Sequence, residues 1–597
     1  MKKMPQKSEI YSIIPILLIL VVVPLIVHLK VVDLTGEISN IWIQGKKNLD
    51  FFSYYKAKYF IIISLISCVV FFVKLSKNSL KIKKSFLYVP SFVFIMSALI
   101  STLLSEYSSI AFFGAPDRYE GFFVILFYIL IMLLTFNLTD NDKKIYLLIN
   151  ALLVSTVIIS IIAIFQYFKH DIFQTTLGRK LILPKEFWPQ LDKLQFTLGE
   201  RAAYGTLYNI NYVGSFMAIS FPLFLTLTFL LKDLKQKTVY AIAALLALSS
   251  LFASLSRAGL LGIVVSIMLL LFILRKYLFK QWKVLLSFSA VAVLAIIIIN
   301  SVTNGFVLNR FATLKKEAKS FLTTSSNVST KNRLKEIKTE KNTLTFIYKN
   351  DSLKFDLSDN LKIYDANNKE IKFDYNFEDS SIKFIDEQYK DRNFGFGNYN
   401  GMPLIQLRTG GSPINVVYTV EGFKIIGPNN SYLDVKPVEK IGFEGKEYLG
   451  SNRGYIWSRT LPLIKKKPLF GYGPDTFILS YPQHDVVGKL NFYYDPLIVL
   501  DKPHNIFIQT AVNTGLVSLI ALLLIFALYI LQSLKIYYNP TFEGINEIYG
   551  VSIFLGIVGY IITGFFNDSI VSVAPVFWVL LGVGFAVNYY ISSKRQV

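Results

Sequence analysis

The amino-acid sequence predicts an all-α polytopic membrane protein of about 12 transmembrane helices with a β-rich extracytoplasmic insertion. Three observations predict this fold class. The 597 residues are 53% hydrophobic, and their mean hydropathy is +0.47. The apolar residues form runs of about 17 to 25, the length that a helix needs to cross about 30 Å of hydrocarbon. A long polar stretch between two of these runs shows the alternation of apolar and polar residues that is typical of strands.

Twelve apolar runs divide the chain into three parts. Residues 1–302 contain the first nine predicted transmembrane helices, with outer loops at 106–119 and 169–210, and residues 303–503 form a large extracytoplasmic loop. Residues 504–597 contain the last three helices. The first run is longer than the core of a typical signal peptide and no small-residue cleavage site follows it, so we expect it to remain as a helix. The predicted spans are 11–29, 58–75, 87–105, 120–138, 145–168, 211–231, 238–255, 258–274, 284–302, 505–533, 548–566 and 571–591.

Basic residues in the short loops predict the orientation of the chain. With the N-terminus in the cytoplasm, the lysines and arginines of the loops at 74–84, 143–144, 232–237 and 275–283 all face inward, as the positive-inside rule requires. We therefore expect a multi-pass protein of the cell (plasma) membrane with both termini in the cytoplasm, and any chemistry on the extracytoplasmic face, including an active site there, must use the outward-facing loops. The same loops explain much of the formal net charge of +22, so nucleic-acid binding is not expected.

The β-rich insertion is predicted at about 340–450. Segments such as Thr343–Tyr348 and Val416–Val420 alternate apolar and polar residues between Asn, Asp and Gly turns, which predicts a small antiparallel β-sandwich. The single cysteine, Cys68, lies in an apolar run, so no intrachain disulfide is possible and cysteine catalysis is excluded. The sequence contains no Walker-type glycine loop and no zinc-binding spacing of Cys and His, so ATP hydrolysis by this chain is not expected.

His504 is the first candidate for chemistry. The chain has four histidines, and His504 lies in Asp501-Lys502-Pro503-His504-Asn505, at the end of the polar stretch and directly before an apolar run. An imidazole exchanges protons near neutral pH, which suits a general base at a membrane surface. A capping or interfacial histidine is the alternative interpretation. His484, beside Asp485, is a weaker candidate, and His28 and His170 are weaker still.

Three outward-facing arginines are candidates for binding an anion, because a guanidinium matches phosphate oxygens bidentately. Arg257 lies at the junction of two apolar runs, where an arginine that only anchors the turn is the alternative. Arg201 precedes the sixth predicted span, whose start at Asn209 and Asn211 we interpret as helix capping. Arg118 ranks third, because it has acidic neighbours in the sequence and pairing with one of them would explain it.

Taken in order, these segments resemble the O-antigen ligase and polymerase superfamily of polytopic membrane glycosyltransferases. The shared order, spacing and side of the membrane carry the resemblance, and the β-rich insertion departs from the compact external loop of typical members. The segments are Phe113–Gly121, Arg201–Asn211, Ser256-Arg257, Phe470–Phe477, and Pro503-His504-Asn505 followed by Thr514-Gly515-Leu516.

The resemblance implies a GT-C-like enzyme that transfers a glycan from an undecaprenyl-pyrophosphate carrier to an acceptor hydroxyl, with inversion and with no cofactor, nucleotide sugar or essential metal. Arg201 and Arg257, with Arg118 as a third candidate, would bind the pyrophosphate, and His504 would take the acceptor's proton. The implied partners are the lipid-linked donor, the lipid bilayer and an acceptor that is a glycan, lipid or protein. The resemblance does not distinguish ligase activity from polymerase activity.

Two other function classes stay open. A lipid-linked glycan flippase or transporter suits the helix count, but transporters usually place charged or helix-breaking residues near the midplane, and the apolar runs here carry few charges. A membrane-anchored glycan-binding protein would depend on the β-rich insertion. Loss of function on changing His504 alone would argue against that class.

Overall fold

The computed structural model describes residues 10–42, 45–193, 203–280, 333–409, 411–434, 436–540 and 544–595, together with residues 297, 301, 305 and 542. Within this part of the chain, eight helices are long and apolar enough to cross a membrane. Three shorter apolar helices lie inside the predicted spans 11–29, 87–105 and 120–138. The chain is therefore a multi-pass membrane protein, while the predicted span 284–302 lies, apart from 297 and 301, outside the described residues.

The amino-terminal part of the chain is helical, apart from one antiparallel ribbon that pairs β1 (Lys30–Asp33) with β2 (Lys47–Asp50). The helices are α1 (Ile14–Val21), α2 (Glu37–Ile41), α3 (Tyr54–Ser76), α4 (Tyr88–Leu103), α5 (Ser108–Phe113), α6 (Phe122–Leu138), α7 (Asp142–Tyr167), α8 (Thr176–Ile182), α9 (Ile210–Leu230), α10 (Leu234–Ser254) and α11 (Arg257–Lys280).

Among the described residues, the carboxy-terminal part contains eleven strands and six further α-helices. The strands are β3 (Leu334–Thr339), β4 (Thr343–Tyr348), β5 (Ser352–Asp356), β6 (Lys362–Tyr364), β7 (Phe373–Asn376), β8 (Ser381–Phe384), β9 (Phe394–Tyr399), β10 (Met402–Leu407), β11 (Ile414–Thr419), β12 (Gly422–Ile426) and β13 (Tyr432–Leu433). The helices are α12 (Leu449–Lys466), α13 (Phe477–Ser480), α14 (Val486–Tyr493), α15 (Ile506–Tyr537), α16 (Ile545–Thr563) and α17 (Ala574–Arg595).

Helix α9 lies in the centre of the bundle, with most of its side chains buried, and it packs against α10, α11 and α16. Glycines allow this close approach. A Cβ on Gly559 of α16 would lie 2.1 Å from the carbonyl oxygen of Ala218, and a Cβ on Gly262 of α11 would lie 2.6 Å from the carbonyl oxygen of Gly559. Small residues at helix contacts are typical of membrane proteins, because packing rather than the hydrophobic effect drives association in lipid.

The strands form the predicted β-rich insertion, as two antiparallel sheets. One has the order β3-β4-β5-β6 and the other β13-β12-β11-β10-β9-β8-β7. Strand β4 buries every second residue, as expected for a strand with one face on a core. Phe346 and Phe355 of the smaller sheet contact Phe394 of the larger sheet, with ring centroids 5.0 and 4.9 Å apart. The two sheets thus share one hydrophobic core.

Helix α15 is broken at Gly515, whose φ of 87° and ψ of 173° are not helical. The loop before α13 pairs with the break: the N–H groups of Tyr472 and Gly473 donate to the carbonyl oxygens of Val512 and Asn513, at 3.0 and 2.8 Å. The break therefore leaves these backbone groups satisfied, which a membrane helix requires. Two segments that the sequence singled out, 470–477 and 514–516, are brought together here.

Candidate active site

His504 lies at the N-terminal end of α15, beside the loop that joins α16 to α17. The next residue, Asn505, caps α15: its Oδ1 accepts hydrogen bonds from the N–H groups of Phe507 and Ile508, both at 2.9 Å. Its Nδ2 donates to the carbonyl oxygen of Phe565 at 2.9 Å. His504 has a φ of 52°, a left-handed conformation that is uncommon outside glycine. These features position an imidazole that is 31% exposed.

Asp568 faces the imidazole from the α16–α17 loop. Its Oδ1 lies 3.3 Å from Nδ1 of His504, and its side chain is 1% exposed. A carboxylate at this distance favours the tautomer with the proton on Nδ1, which leaves the lone pair on Nε2. His504 can therefore accept a proton at Nε2, while the carboxylate stabilises the imidazolium that results.

Asp568 is held by side chains from other segments. Tyr212, in the first turn of α9, donates its hydroxyl to Oδ2 at 2.9 Å, and Nη1 of Arg118 lies 2.9 Å from the same oxygen. Lys502 donates from Nζ to the Tyr212 hydroxyl at 3.1 Å. The loops before α6 and α15 and the first turn of α9 thus meet the loop before α17 around one carboxylate.

Arg118 lies among three carboxylates and is 3% exposed. Besides Asp568, it pairs through Nε with Asp475 at 2.6 Å and through Nη2 with Glu120 at 3.3 Å. Asp475 also accepts hydrogen bonds from the N–H groups of Ala115 and Glu120. Pairing with an adjacent acid was the alternative interpretation of Arg118, and Glu120 is one such partner. Because its charge is already compensated by buried carboxylates, the geometry favours a positioning role over phosphate binding.

Arg257 is the first residue of α11 and lies at the same end of the bundle. Its Nη1 donates to Oγ of Ser451 at 3.5 Å, in the segment that leads into α12. Leu255, just before it, has a φ of 59° and ends α10 in the left-handed conformation. The sharp connection between α10 and α11 therefore presents Arg257 to the external segment rather than to lipid.

Arg453 begins the regular part of α12, after three residues with non-helical backbone. Its Nη1 donates to the carbonyl oxygen of Gly450 at 2.6 Å. Its Nε is buried and has no hydrogen-bond partner among the described residues. Burial lowers the pKa of Arg453, and Asp568 raises it while the nearby charge of Arg257 lowers it. Two like-charged guanidinium groups so placed are an arrangement that a bound anion would stabilise.

Burial and neighbouring charges set the protonation states at this site. Burial lowers the pKa of His504 below 6.5, with Lys502 and Arg453 acting in the same direction and Asp568 opposing them. Burial would raise the pKa of Asp568, but Lys502, His504 and Arg118 hold it well below 3.8. Burial would likewise lower the pKa of Lys502, but Asp501, Tyr212 and Asp568 raise it well above 10.5. At neutral pH the site therefore combines a neutral imidazole, a carboxylate and an ammonium.

The structure brings His504, Arg257 and Arg118 to one end of the bundle. Arg201 lies outside the described residues. Asn209 is the N-cap of α9, as predicted, and accepts a hydrogen bond from the N–H of Asn211 at 2.8 Å. The remaining histidines lie elsewhere: His28 is 3.4 Å from the carbonyl oxygen of Leu181, His170 is exposed, and His484 lines a separate cleft in the external part.

Sequence reasoning missed Asp568, Tyr212, Lys502 and Arg453. One signal was available for Asp568, which is the acidic residue between the last two apolar runs, since a charge bordering two membrane spans is costly unless it has a partner. Lys502 stands two residues before His504, in the same motif. Nothing local distinguishes Tyr212 or Arg453 from the many other tyrosines and basic residues.

A small cavity of about 70 Å³ adjoins this network inside the bundle. Its polar end is lined by Glu120, Gln509 and Ser569, and its inner walls include Phe526 and Trp578. Oε1 of Glu120 accepts a hydrogen bond from the Ser569 hydroxyl at 2.8 Å, so the polar end joins the Arg118 cluster. The cavity therefore adjoins both the polar network and apolar side chains of the bundle.

Comparison with known proteins gives a match to a protein family. A family model described as O-antigen ligase matches residues 414–523, a range that contains Arg453, Asp475, Lys502, His504 and the break at Gly515. Neither the curated proteins nor the solved structures include a match to this chain. The matched segment thus contains both the candidate base and the loop that closes the broken helix, and the match supports membership of the chain in the O-antigen ligase and polymerase family.

Proposed function

We propose that the protein transfers a glycan from an undecaprenyl-pyrophosphate carrier to an acceptor hydroxyl on the extracytoplasmic face of the plasma membrane. The observation that carries the proposal is the His504–Asp568 pair, at 3.3 Å. Three basic residues, Arg257, Arg453 and Lys502, lie at the same end of the bundle. A base oriented by a buried carboxylate, next to cations that can hold an anionic leaving group, is the arrangement that glycosyl transfer from a pyrophosphate needs. Family membership supports a surface-glycan ligase or polymerase.

In the proposed reaction, Nε2 of His504 takes the proton of the acceptor hydroxyl as its oxygen forms a bond to the anomeric carbon. The bond from that carbon to the pyrophosphate oxygen breaks, and its electron pair leaves with the pyrophosphate. Attack from the face opposite the leaving group inverts the anomeric carbon. Asp568 stabilises the imidazolium, and a positioned base of this kind contributes about 10² to 10⁴-fold to the rate.

Arg257 and Arg453 are proposed to bind the pyrophosphate. The ammonium group of Lys502, which is hydrogen-bonded to Tyr212, adds a third positive charge. Charge develops on the leaving pyrophosphate in the transition state, so fixed cations there lower the barrier without a metal ion. The buried Nε of Arg453, which has no partner among the described residues, is available for a phosphate oxygen. Arg118 is proposed to position Asp568 instead, and Arg201 remains a further candidate from the sequence.

The polyprenyl chain is proposed to lie among the helices next to the site. The cavity beside Glu120 and Ser569 supports this placement, because its apolar walls begin where the polar network ends. Lipid must reach the site from the bilayer, so the small cavity would have to widen as the carrier enters.

The test is transfer by the purified protein, reconstituted with an undecaprenyl-pyrophosphate glycan from its host, in the presence of EDTA. We expect donor to disappear and longer or transferred glycan to form. His504→Ala should reduce this rate by about 10² to 10⁴-fold, and Arg453→Ala by about 10² to 10³-fold. His170→Ala and Arg275→Ala are the matched controls, because both residues lie away from the site. Donor that stays intact, or a His504 variant as active as the native chain, would contradict the proposal, and movement of intact donor between leaflets would indicate a flippase.

A further inference from the structure

A second cleft lies in the external part of the molecule, where the smaller sheet meets α14 and the segment before α12. Its volume is about 530 Å³, within the range of pockets that hold small ligands. Strand β3 forms one side, and α14 with residues 436–447 forms another. The cleft is built from two separate parts of the fold, so it is a preformed concave site rather than a flat face.

Basic residues outnumber acidic ones in the lining of this cleft. Six basic residues line it against three acidic ones, Glu336, Glu447 and Asp485. Asp485 and Arg459 neutralise each other, because Oδ2 of Asp485 lies 2.9 Å from Nε of Arg459 and both side chains are nearly buried. Lys436 also pairs with an acid, Asp434, at 2.9 Å. Outside these two pairs, four basic residues and two acidic ones line the cleft. The basic residues are Arg333, Lys335, Lys349, Lys436, Lys440 and Arg459.

Part of this positive charge is held rigidly. The guanidinium carbon of Arg333 lies 4.5 Å from the ring centroid of Phe492 and 5.8 Å from that of Tyr448, so cation–π contacts hold it at the wall of the cleft. Lys335 and Lys440 are exposed at the rim. A fixed guanidinium with mobile ammonium groups around it favours a ligand whose negative charges recur along its length.

The cleft is connected to the candidate active site through α12. This helix carries Arg453 at the active site and Arg459 in the cleft, six residues apart and therefore about 9 Å along the axis. Asn452 donates from Nδ2 to the carbonyl oxygen of Phe492 at 2.6 Å, which joins the start of α12 to the cleft wall. A chain bound at Arg459 therefore lies about 9 Å along the helix from Arg453 of the candidate active site.

We infer that this cleft binds a segment of an anionic glycan, whose carboxylate or phosphate substituents pair with Arg333, Lys335 and Lys440. A concave site of this volume accommodates a short extended oligosaccharide and excludes a flat bilayer surface, which distinguishes a glycan from anionic lipid headgroups. Assigning this glycan as the acceptor or growing chain rests on the proposed function, whereas binding itself does not.

The test is binding of trigalacturonate to the full-length protein in nanodiscs of neutral lipid. Isothermal titration calorimetry at low ionic strength measures this binding. We expect saturable binding that weakens with added salt, and at least tenfold weaker binding for the double variant Lys335→Glu/Lys440→Glu. The matched control is Lys369→Glu/Lys383→Glu, which changes the net charge equally at exposed positions outside the cleft and should bind as the native chain does. Maltotriose, the neutral comparison, should not bind.

Three outcomes would overturn the inference: no binding of trigalacturonate, equal binding of maltotriose, or equal weakening in the two double variants. Cleft-dependent binding to vesicles that contain phosphatidylglycerol, without binding of trigalacturonate, would instead assign the surface to the membrane. The same titration on His504→Ala separates this inference from the proposed function, because binding should persist there although transfer is lost. If transfer by the native protein fails while trigalacturonate binding is confirmed, the proposed function falls and the glycan site stands.

Discussion

At the scale of single residues, Asp568 connects the parts of the candidate active site. One of its oxygens faces His504, and the other is shared by Tyr212 and Arg118. Asp568 thereby receives charge and hydrogen bonds from two loops and from the first turn of α9, and the charges of Lys502, His504 and Arg118 hold its pKa well below 3.8 although it is buried. The contact that orients the imidazole thus comes from a loop that is distant from His504 in the sequence.

The charges around His504 predict opposite pH shifts in two variants. Arg453→Gln removes a cation that disfavours the imidazolium, so the pKa of His504 rises and the acid limb of the pH–rate profile moves to higher pH. Asp568→Asn removes the anion that favours the imidazolium, so the acid limb moves to lower pH, and the plateau rate falls by about 10² to 10⁴-fold as the base loses its orientation. Initial rates of glycan transfer between pH 5 and about 8 measure both effects.

A second titrating group requires a control in that experiment. Burial raises the pKa of Asp117 to about 7, with Asp50 and Asp501 acting in the same direction, and Asp117 lies in the loop next to Arg118. Both variants are therefore made in an Asp117→Asn background, and Arg275→Gln serves as the distant charge control. Shifts in the same direction, or none, would show that His504 is not the titrating base.

At the scale of elements, the break in α15 orders the external surface of the bundle. The loop 467–473 fills the break, and the same loop continues to Asp475, which binds Arg118. The N–H of Leu516, beyond the break, donates to the carbonyl oxygen of Pro468 at 2.7 Å. The broken helix thus sets where the loop lies, and the loop sets where Arg118 meets Asp568.

Gly515→Ala is expected to lower the free energy of unfolding by about 1–3 kcal/mol, the cost of placing a residue with a Cβ in this backbone region. The added Cβ would also lie 2.0 Å from the carbonyl oxygen of Leu469, so the loop must move. The midpoint of thermal unfolding in detergent measures the loss. Gly544→Ala is the control, because its Cβ would meet nothing within 4 Å and the change should stay within about 0.5 kcal/mol. Equal midpoints for the two variants would show that the break does not need glycine.

The same elements show how far sequence reasoning reaches. Hydropathy predicted the membrane helices and alternation predicted the β-rich insertion, because both patterns are local and recur along many residues. Local position also made His504 a candidate, since a histidine directly before an apolar run stands out. Asp568 and Arg453 could not be proposed in that way, because their contacts come from segments that are distant in the sequence. The cause of the break at Gly515 is likewise a contact with a distant loop.

At the scale of the whole molecule, the two ends of the bundle differ in the charged residues that they present. The candidate active site gathers the N-terminal ends of α6, α9, α11, α15 and α17. At the far end of α6, Lys83 donates to the carbonyl oxygen of Thr139 at 2.6 Å, and Lys144 pairs with Asp140 at 2.8 Å. These basic residues belong to the loops that the positive-inside rule assigns to the cytoplasm. The arrangement predicts that the active site faces outward.

Cysteine labelling in intact cells tests this orientation directly, because the chain has a single cysteine, Cys68, that Cys68→Ala removes. In that background, Lys440→Cys places a thiol on the exposed external part, and Lys77→Cys places one in the exposed loop between α3 and α4. A membrane-impermeant maleimide should label the Lys440 variant in intact cells and the Lys77 variant after permeabilisation alone. The reverse pattern would place His504 in the cytoplasm. Because lipid-linked donor and finished surface glycan meet outside the cell, that result would contradict the proposed reaction as well as the orientation.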